Sequence, residues 1–297
     1  MKTLKAIFIA VTILYLGGVV YSAQGTGIGT EKYESKVLIV GKWGEKPGEY
    51  KYRPWQGDFD WPRSFAVDDN EHIYVLDYIN NRVQHYDGDG KFLGTIPIES
   101  YLPASGDELK QLAAKDLGDY PSIWVKRIVW LDGVLYAIQE KRHEESILKM
   151  QDGSFVRLAS AKERADVKKK LSSGSRKEEL KKHFKDDKRF KATVFNDPHR
   201  CAKPPCEELS YDGANLGNAY FNKSGNNWVL DGKIIRKYDA NKKLLVEIPY
   251  EGKPITVSAR DGLYVLDLYT TKTGDPSRVS FEDYWEGIKI SKFILVK

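Results

Sequence analysis

The two cysteines of the chain, Cys201 and Cys206, have a type and spacing that could support chemistry, with His199 close by. Two thiolates and an imidazole can bind zinc, whereas two cysteines alone can form a disulfide. The intervening segment, Ala-Lys-Pro-Pro, is short and stiff, which suits a disulfide. Free thiols and a metal site are the alternatives, and a haem attachment site would need a histidine after the second cysteine. We therefore predict a disulfide between Cys201 and Cys206.

The acidic turn at residues 87–90, with the sequence DGDG, resembles the beginning of a calcium-binding loop. An EF-hand loop needs Asp or Asn at its fifth position, and that position here is Lys91. We therefore predict a hairpin turn and no calcium site.

The remaining candidates for chemistry are scattered. The histidines show no i, i+2 or i, i+4 pairing; they are His72, His85, His143, His183 and His199. Four charged residues are predicted to cap turns or bridge strands, and they are Asp68, Asp77, Arg82 and Asp267. No nucleophile elbow, phosphate loop or Ser/His/Asp arrangement appears, so we assign no catalytic residue and no metal ligand, and the sequence indicates no cofactor.

Residues 159–191 form a basic segment, with 13 Lys and Arg against 6 Asp and Glu. Capping-box patterns at Ser160–Glu163 and Ser175–Glu178 predict two short helices. The segment is either a solvated helix pair or an electrostatic contact with an anionic partner such as phospholipid, polysaccharide or acidic protein. The candidate contact residues are Lys168, Lys169, Lys170, Lys181 and Lys182.

Aromatic residues cluster between positions 43 and 61, and three of them are tryptophans: Trp43, Trp55 and Trp61. Two interpretations stay open. The rings can pack in the core and between structural units, or they can form a platform for a sugar ring or another planar ligand.

The segment that follows, residues 62–96, shows how these candidates are positioned. It contains four short runs of β-branched and aromatic residues, and an Asn, Asp or Gly turn follows each of the first three. This pattern predicts a four-stranded antiparallel meander. Such a sheet has two apolar faces and must stack with further copies of itself.

The same segment closely resembles an NHL repeat. The matching elements are Pro62, the AVD of 66–68, the IYVLD of 73–77, the NRVQ of 81–84 and the DGDGKFL of 87–93. The resemblance is specific over 40–95 and weaker over 123–158 and 217–297. It implies an all-β fold, a β-propeller that in this family usually has six blades.

Four blades can be identified in the sequence, within a propeller spanning 36–297. The strand at 36–41 has no partner nearby, and the last blade lacks one strand, so we predict that the N- and C-terminal strands pair and close the ring. Three insertions interrupt the blades: a helical one at 100–121, the basic helical one at 159–191 and a loop with the cysteine pair at 192–215.

The N-terminus carries two lysines before an uncharged run of 15 residues, 6–20, followed by small residues. This pattern predicts a signal peptide or an N-terminal anchor over 1–22, and a flexible lead over 23–35. We expect a periplasmic, secreted or membrane-anchored protein, which agrees with a disulfide. The net charge of +5 is modest, so we expect no nucleic acid partner.

These observations favour an exported binding or scaffold module for a protein or another macromolecular partner. The alternative is an extracytoplasmic enzyme, similar to a lactonase or lyase, with a metal or carboxylate site in the central channel. Residues from different blades would form such a site, so their order in the sequence does not decide between the two.

Overall fold

The structure is a computed structural model. It describes residues 32–55, 58–98, 123–141, 144–158, 160–171, 219–221, 227–231, 234–239, 241, 243–249, 253–258, 260–275 and 279–296.

Strands dominate the described residues. In chain order they are β1 (Lys32–Lys42), β2 (Arg53–Trp55), β3 (Asp58–Asp60), β4 (Phe65–Val67), β5 (Ile73–Asp77), β6 (Arg82–Tyr86), β7 (Phe92–Pro97), β8 (Ile123–Leu131), β9 (Val134–Lys141), β10 (Glu144–Gln151), β11 (Ser154–Arg157), β12 (Ala219–Phe221), β13 (Asn227–Asp231), β14 (Ile234–Tyr238), β15 (Leu244–Pro249), β16 (Ile255–Val257), β17 (Leu263–Tyr269) and β18 (Gly287–Val296). The described helices are α1 (Ala161–Leu171), α2 (Phe281–Tyr284) and a 3-10 turn at Tyr78–Asn80.

The predicted meander is confirmed as blade 1, in which β4, β5, β6 and β7 pair in sequence. Its turns follow from local chemistry. Asn81 adopts the left-handed conformation, with φ of 52°, between β5 and β6. Asp87 accepts backbone hydrogen bonds from Asp89 and Lys91, which makes residues 87–90 the predicted hairpin turn.

Two further meanders, blade 2 (β8 to β11) and blade 3 (β12 to β15), repeat this arrangement. Blade 4 is different because its strands come from both ends of the chain, in the order β1-β18-β17-β16. Strand β1 pairs antiparallel with β18 from Lys32 opposite Val296 to Lys42 opposite Gly287. The predicted pairing of the terminal strands is therefore confirmed.

Strand β1 begins at Lys32, four residues before its predicted start, within the segment predicted as a flexible lead. Tyr33 explains the difference, since its side chain is buried and its ring packs edge-on against Trp228 at 5.9 Å. Aromatic burial of this kind extends the strand.

The blades pack face to face through apolar clusters. Blade 3 packs on blade 4 around Trp228 and Leu263, and blade 4 packs on blade 1 around Ile290 and Ile73. Blade 1 packs on blade 2 through a cluster that includes Leu135. The first strands β16, β4 and β8 contact one another in that order. Meanders arranged around their first strands form a β-propeller.

The insertions are described only in part. Helix α1 lies in the predicted basic segment, whereas residues 99–122 and 172–218 lie outside the described residues. The helical insertion at 100–121 and the disulfide between Cys201 and Cys206 therefore stay predictions, as do the blade number and the closure of the ring. Within the described residues no helix is long and apolar enough to cross a membrane, and the segment 1–22 is not among them.

Candidate functional site

Arg82 of blade 1 binds the loop that precedes this blade. This side chain donates hydrogen bonds to the backbone oxygens of Glu45 (2.7 Å), Lys46 (2.9 Å) and Glu49 (2.7 Å). Its Nε also lies 2.8 Å from Oδ2 of Asp77, whose side chain is fully buried. A guanidinium offers five N–H donors in a fixed plane, and the four contacts just described use four of them.

Asp77 is the buried partner of Arg82 in this arrangement. It accepts hydrogen bonds from Asn80 Nδ2 at 2.9 Å and from the backbone N–H of Lys51 at 3.2 Å. Burial raises the pKa of Asp77, and the hydrogen bonds from Asn80 and Arg82 lower it in part. The prediction that Asp77 and Arg82 bridge strands is confirmed, since the two residues stand opposite each other on β5 and β6.

The other two predicted structural carboxylates also have structural partners. Asp68 accepts hydrogen bonds from the backbone N–H groups of Asn70 and His72, both at 2.8 Å, and so caps the turn before β5. Asp267 lies 2.9 Å from Lys253 Nζ and 3.6 Å from Lys289 Nζ.

A repeated contact between blades emerges that the sequence analysis missed. On one face of each of the four described blades, an aromatic residue of the second strand stands opposite a basic residue of the third strand. We call these the latch pairs, and in spatial order they are Trp228–Lys237, Tyr264–Lys292, Tyr74–His85 and Tyr136–Lys149.

An acidic residue of the following blade completes two of these latches. Asp261 of blade 4 lies 2.7 Å from Lys237 Nζ and accepts a hydrogen bond from Trp228 Nε1 at 2.7 Å. Glu71 of blade 1 lies 2.9 Å from Lys292 Nζ. Both acids occupy the turn before the second strand in the left-handed conformation, with φ of 72° and 71°. In this strained conformation each turn places its carboxylate across the interface with the preceding blade.

The pKa values follow from these contacts. Burial alone would lower the pKa of Lys237, but the hydrogen bonds to Asp261 and Tyr33 outweigh it and the pKa is raised. Burial alone would raise the pKa of Glu71, but the hydrogen bond and charge of Lys292 outweigh it and the pKa is lowered. Lys237 and Glu71 therefore keep their charges in the folded state at neutral pH.

Helix α1 supplies the acidic residue of the latch of blade 2. Glu163 Oε1 lies 3.7 Å from Lys149 Nζ, and Val167 is buried in a cluster with Tyr136. Arg164 Nη1 donates a hydrogen bond of 2.6 Å to the backbone oxygen of Leu158. The predicted capping box is observed at its first half, where the Ser160 hydroxyl accepts the N–H of Glu163 at 3.3 Å. The helix is thus fixed on the face of blade 2 that carries Tyr136 and Lys149.

The predicted contact lysines divide into two groups. Lys168 and Lys169 are exposed on α1, together with Lys162. The side chain of Lys170 and all of Lys181 and Lys182 lie outside the described residues.

The aromatic cluster is packed, and it includes a residue from the far end of the chain. Phe281 of α2 stacks on Phe59 at 4.2 Å and lies 5.4 Å from Tyr52 and 5.9 Å from Trp43, measured between ring centroids. The indole N–H of Trp43 donates to a backbone oxygen, that of Trp285, at 2.7 Å.

Trp43 and Trp61 also pack against the apolar cluster between blades 4 and 1. The side chain of Trp55 is outside the described part of the chain. Core packing thus accounts for the contacts of two of the three tryptophans, and the ligand platform stays a prediction.

No group of three or more His, Cys, Asp or Glu residues comes within reach of one metal ion in the described ranges. The structure does, however, bring together two histidines that the sequence spacing kept apart. His72 Nδ1 and His85 Nε2 lie 3.2 Å from each other.

The comparisons with known proteins agree with the local pattern. The family model of the NHL repeat matches residues 59–86, which include the first three strands of blade 1. This chain is an NHL-repeat β-propeller. A search of curated proteins finds no match.

Solved structures give distant similarities. A gluconolactonase from Xanthomonas campestris is 11% identical over 91% of each chain, with a TM-score of 0.31. A virginiamycin B lyase from Staphylococcus aureus is 12% identical over 81% of this chain and 71% of that one, with a TM-score of 0.22. A protein of unknown function from Bacteroides caccae is 13% identical over 69% of this chain, which spans 52% of that protein, with a TM-score of 0.21. TM-scores this low do not identify the fold. We identify it from the NHL repeat and from the four-stranded sheets of this chain.

The Glu71 latch makes a prediction about acid stability. Because the pKa of Glu71 is lowered from 4.5 in the folded state, its contribution to stability is present above pH 4.5 and is lost as the pH falls through the folded-state value. We expect the difference in free energy of unfolding between the native protein and E71Q to shrink as the pH falls from 6 to about 3. Urea unfolding across this range measures it.

The control is Glu34→Gln, because Glu34 is half exposed in its pair with Lys32 and such pairs contribute little. Curves for the native protein and E71Q that stay parallel down to pH 3 would contradict the role of the latch.

Proposed function

We propose that this propeller is an exported binding module that holds an acidic protein partner against the exposed face of α1. The observation that carries the proposal is the attachment of α1 to blade 2 beside its latch pair. The contacts of Glu163 and Val167 fix the direction in which Lys162, Lys168 and Lys169 project. A fixed charged surface loses little conformational freedom when a partner binds.

The charge of α1 supports an anionic partner. Five basic and two acidic residues lie between Ala161 and Leu171. Lys168, Lys169 and Lys170 stand in the last turns, where the helix dipole already favours cations. That effect alone accounts for basic residues at the C-terminal end, but Lys162 in the first turn is not explained by it.

The composition of α1 favours a protein over a lipid surface. Helices that lie in a membrane interface present large apolar side chains beside their basic ones. The one large apolar residue of α1 with a described side chain, Val167, is buried against blade 2, and Asp166 is exposed among the lysines. A basic surface whose described side chains include no exposed large apolar group suits an acidic protein.

The test is a charge reversal with a matched control. The variant K168E/K169E should bind immobilised poly-glutamate at least tenfold more weakly than the native protein at about 0.1 M salt, because two attractive charges become repulsive. The control K36E/K42E makes the same change of net charge on exposed residues of β1. It should change binding less than twofold.

Two results would contradict the proposal: equal losses in both variants, which would indicate net charge alone, or no loss in K168E/K169E. Sedimentation with anionic lipid vesicles separates the other partner class. If the native protein binds vesicles and not poly-glutamate, the partner is a membrane surface. The variant V167N should weaken binding to poly-glutamate without changing the charge, because α1 would lose its fixed orientation.

A further inference from the structure

The latch of blade 1 differs from the other three in its basic residue. Blades 2, 3 and 4 carry Lys149, Lys237 and Lys292 on the third strand, and blade 1 carries His85. A lysine is a permanent cation that pairs with an acid. A histidine offers instead a neutral nitrogen that can bind a metal.

The residue that meets His85 is also a histidine. His72 Nδ1 lies 3.2 Å from His85 Nε2, and the ring centroids are 5.1 Å apart. In blade 4 the corresponding turn position is Gly262, since the turns at Asp68 and Ser258 make the same backbone hydrogen bonds. The two residues that depart from the latch pattern, His72 and His85, therefore contact each other.

We propose that His72 and His85 form a binding site for one divalent transition metal ion of borderline softness, such as Zn²⁺ or Ni²⁺. Zinc–nitrogen bonds are about 2.0–2.1 Å long, so two nitrogens on one tetrahedral zinc are about 3.3 Å apart. The observed separation of 3.2 Å is close to this value. The two nitrogens thus need little movement to become ligands.

The surroundings hold His85 in place and keep it neutral. Its ring stacks on Tyr74 at 4.5 Å with an angle of 6° between the planes. Trp130 of blade 2 also stacks on Tyr74, with ring centroids 6.0 Å apart. Burial lowers the pKa of His85 and His72 lowers it further, against the opposing charges of Asp68 and Asp87.

A metal ion can reach the pair, and a carboxylate stands beside it. The His72 side chain is 35% exposed, which leaves a path from solvent. Asp68 Oδ2 lies 3.7 Å from His72 Nδ1 and adds negative charge, while Oδ1 of the same residue is occupied by two backbone N–H groups. Since no third protein ligand converges within the described residues, water would complete the coordination.

Binding has a defined proton balance. In the metal-free pair one of the two facing nitrogens must carry the proton of the hydrogen bond. The metal takes the lone pairs of both facing nitrogens, so the ring that carried this proton holds it on its other nitrogen instead, and two neutral imidazoles release no net proton. Added protons compete with the metal for the same nitrogens. Affinity should therefore fall as the pH is lowered from 7.5 to 5.5.

The experiment is a calorimetric titration of the full chain with NiCl₂ and, separately, ZnCl₂. We expect one site of micromolar affinity that is weakened at least tenfold in H72N and in H85N. The matched control is H143N, which removes a histidine at a distant position in the sequence and should change the affinity less than twofold. Net proton release at pH 7.5, measured in buffers of different ionisation enthalpy, should be close to zero per ion, because one ring changes tautomer and loses no proton.

A second measurement does not depend on the folding of a variant. In long-range ¹H–¹⁵N spectra of the native protein, ZnCl₂ should shift the ring nitrogens of two histidines together, and these should be His72 and His85. Shifts confined to other histidines, an unchanged titration in H72N and H85N, or the same loss in H143N would each overturn the proposal. So would an absence of binding.

Discussion

Replacing Arg82 with alanine is expected to cost about 3–5 kcal/mol of the free energy of unfolding, the range for removing one partner of a buried ion pair. The change leaves the fully buried Asp77 without its cation. It also removes the donor to three backbone oxygens of the loop before blade 1, those of Glu45, Lys46 and Glu49. Chemical denaturation of the purified protein measures the loss.

Two variants show whether the buried charge is the cause. Lys51→Ala removes an ion pair with Glu45, 2.5 Å apart, whose side chains are 43% and 72% exposed, so we expect a far smaller loss of stability than in R82A. The double variant R82A/D77N should be more stable than R82A, because it no longer buries an unpaired carboxylate. A loss below about 1 kcal/mol in R82A would contradict the stabilising role of Arg82.

Replacing Gly287 with alanine is expected to cost about 3 kcal/mol, because it pushes β1 away from β18. A Cβ atom at this position would lie 2.0 Å from the backbone oxygen of Gly41, and backbone atoms cannot move aside as a flexible side chain can. Hydrogen exchange should show faster exchange of the β1 amides than in the native protein, beginning near Lys42, which pairs with Gly287.

Gly94→Ala is the matched control, because a Cβ atom there would meet nothing within 4 Å. We expect its free energy of unfolding to change by less than about 0.5 kcal/mol. Should G287A and G94A prove equally stable, the pairing of the terminal strands would not hold blade 4 together. Deleting residues 32–42 should have a larger effect, since it also removes the buried side chains of Tyr33 and Ile39.

The sequence was sufficient for features that are encoded locally. The alternation of apolar residues and the Asn, Asp and Gly turns predicted the four strands of blade 1, because strand period and turn conformation depend on neighbouring residues. A last blade one strand short predicted the pairing of β1 with β18. The roles of Asp77 and Arg82 as strand bridges were also predictable, since the two residues flank one turn.

Contacts between blades could not be predicted in this way. Glu71 and Lys292 are 221 positions apart, and Lys237 meets Asp261 only because adjacent sheets pack face to face. Phe281 joins the aromatic cluster of residues 43–61 because α2 precedes β18, and the pairing of β18 with β1 brings the two segments together. A signal was nevertheless present, because an aromatic residue opposite a basic one recurs on the second and third strands of each blade.

The histidines and α1 show most clearly which features are encoded locally and which depend on tertiary contacts. His72 and His85 have no helical or strand spacing, and the antiparallel pairing of β5 with β6 brings their rings together. The basic composition of α1 was evident from the sequence, yet its place on blade 2 depends on a buried valine and one ion pair. The sequence determined the blades and their turns through local backbone preferences; the tertiary structure alone decided which charged and aromatic side chains meet, because the packing of one sheet on the next sets those distances.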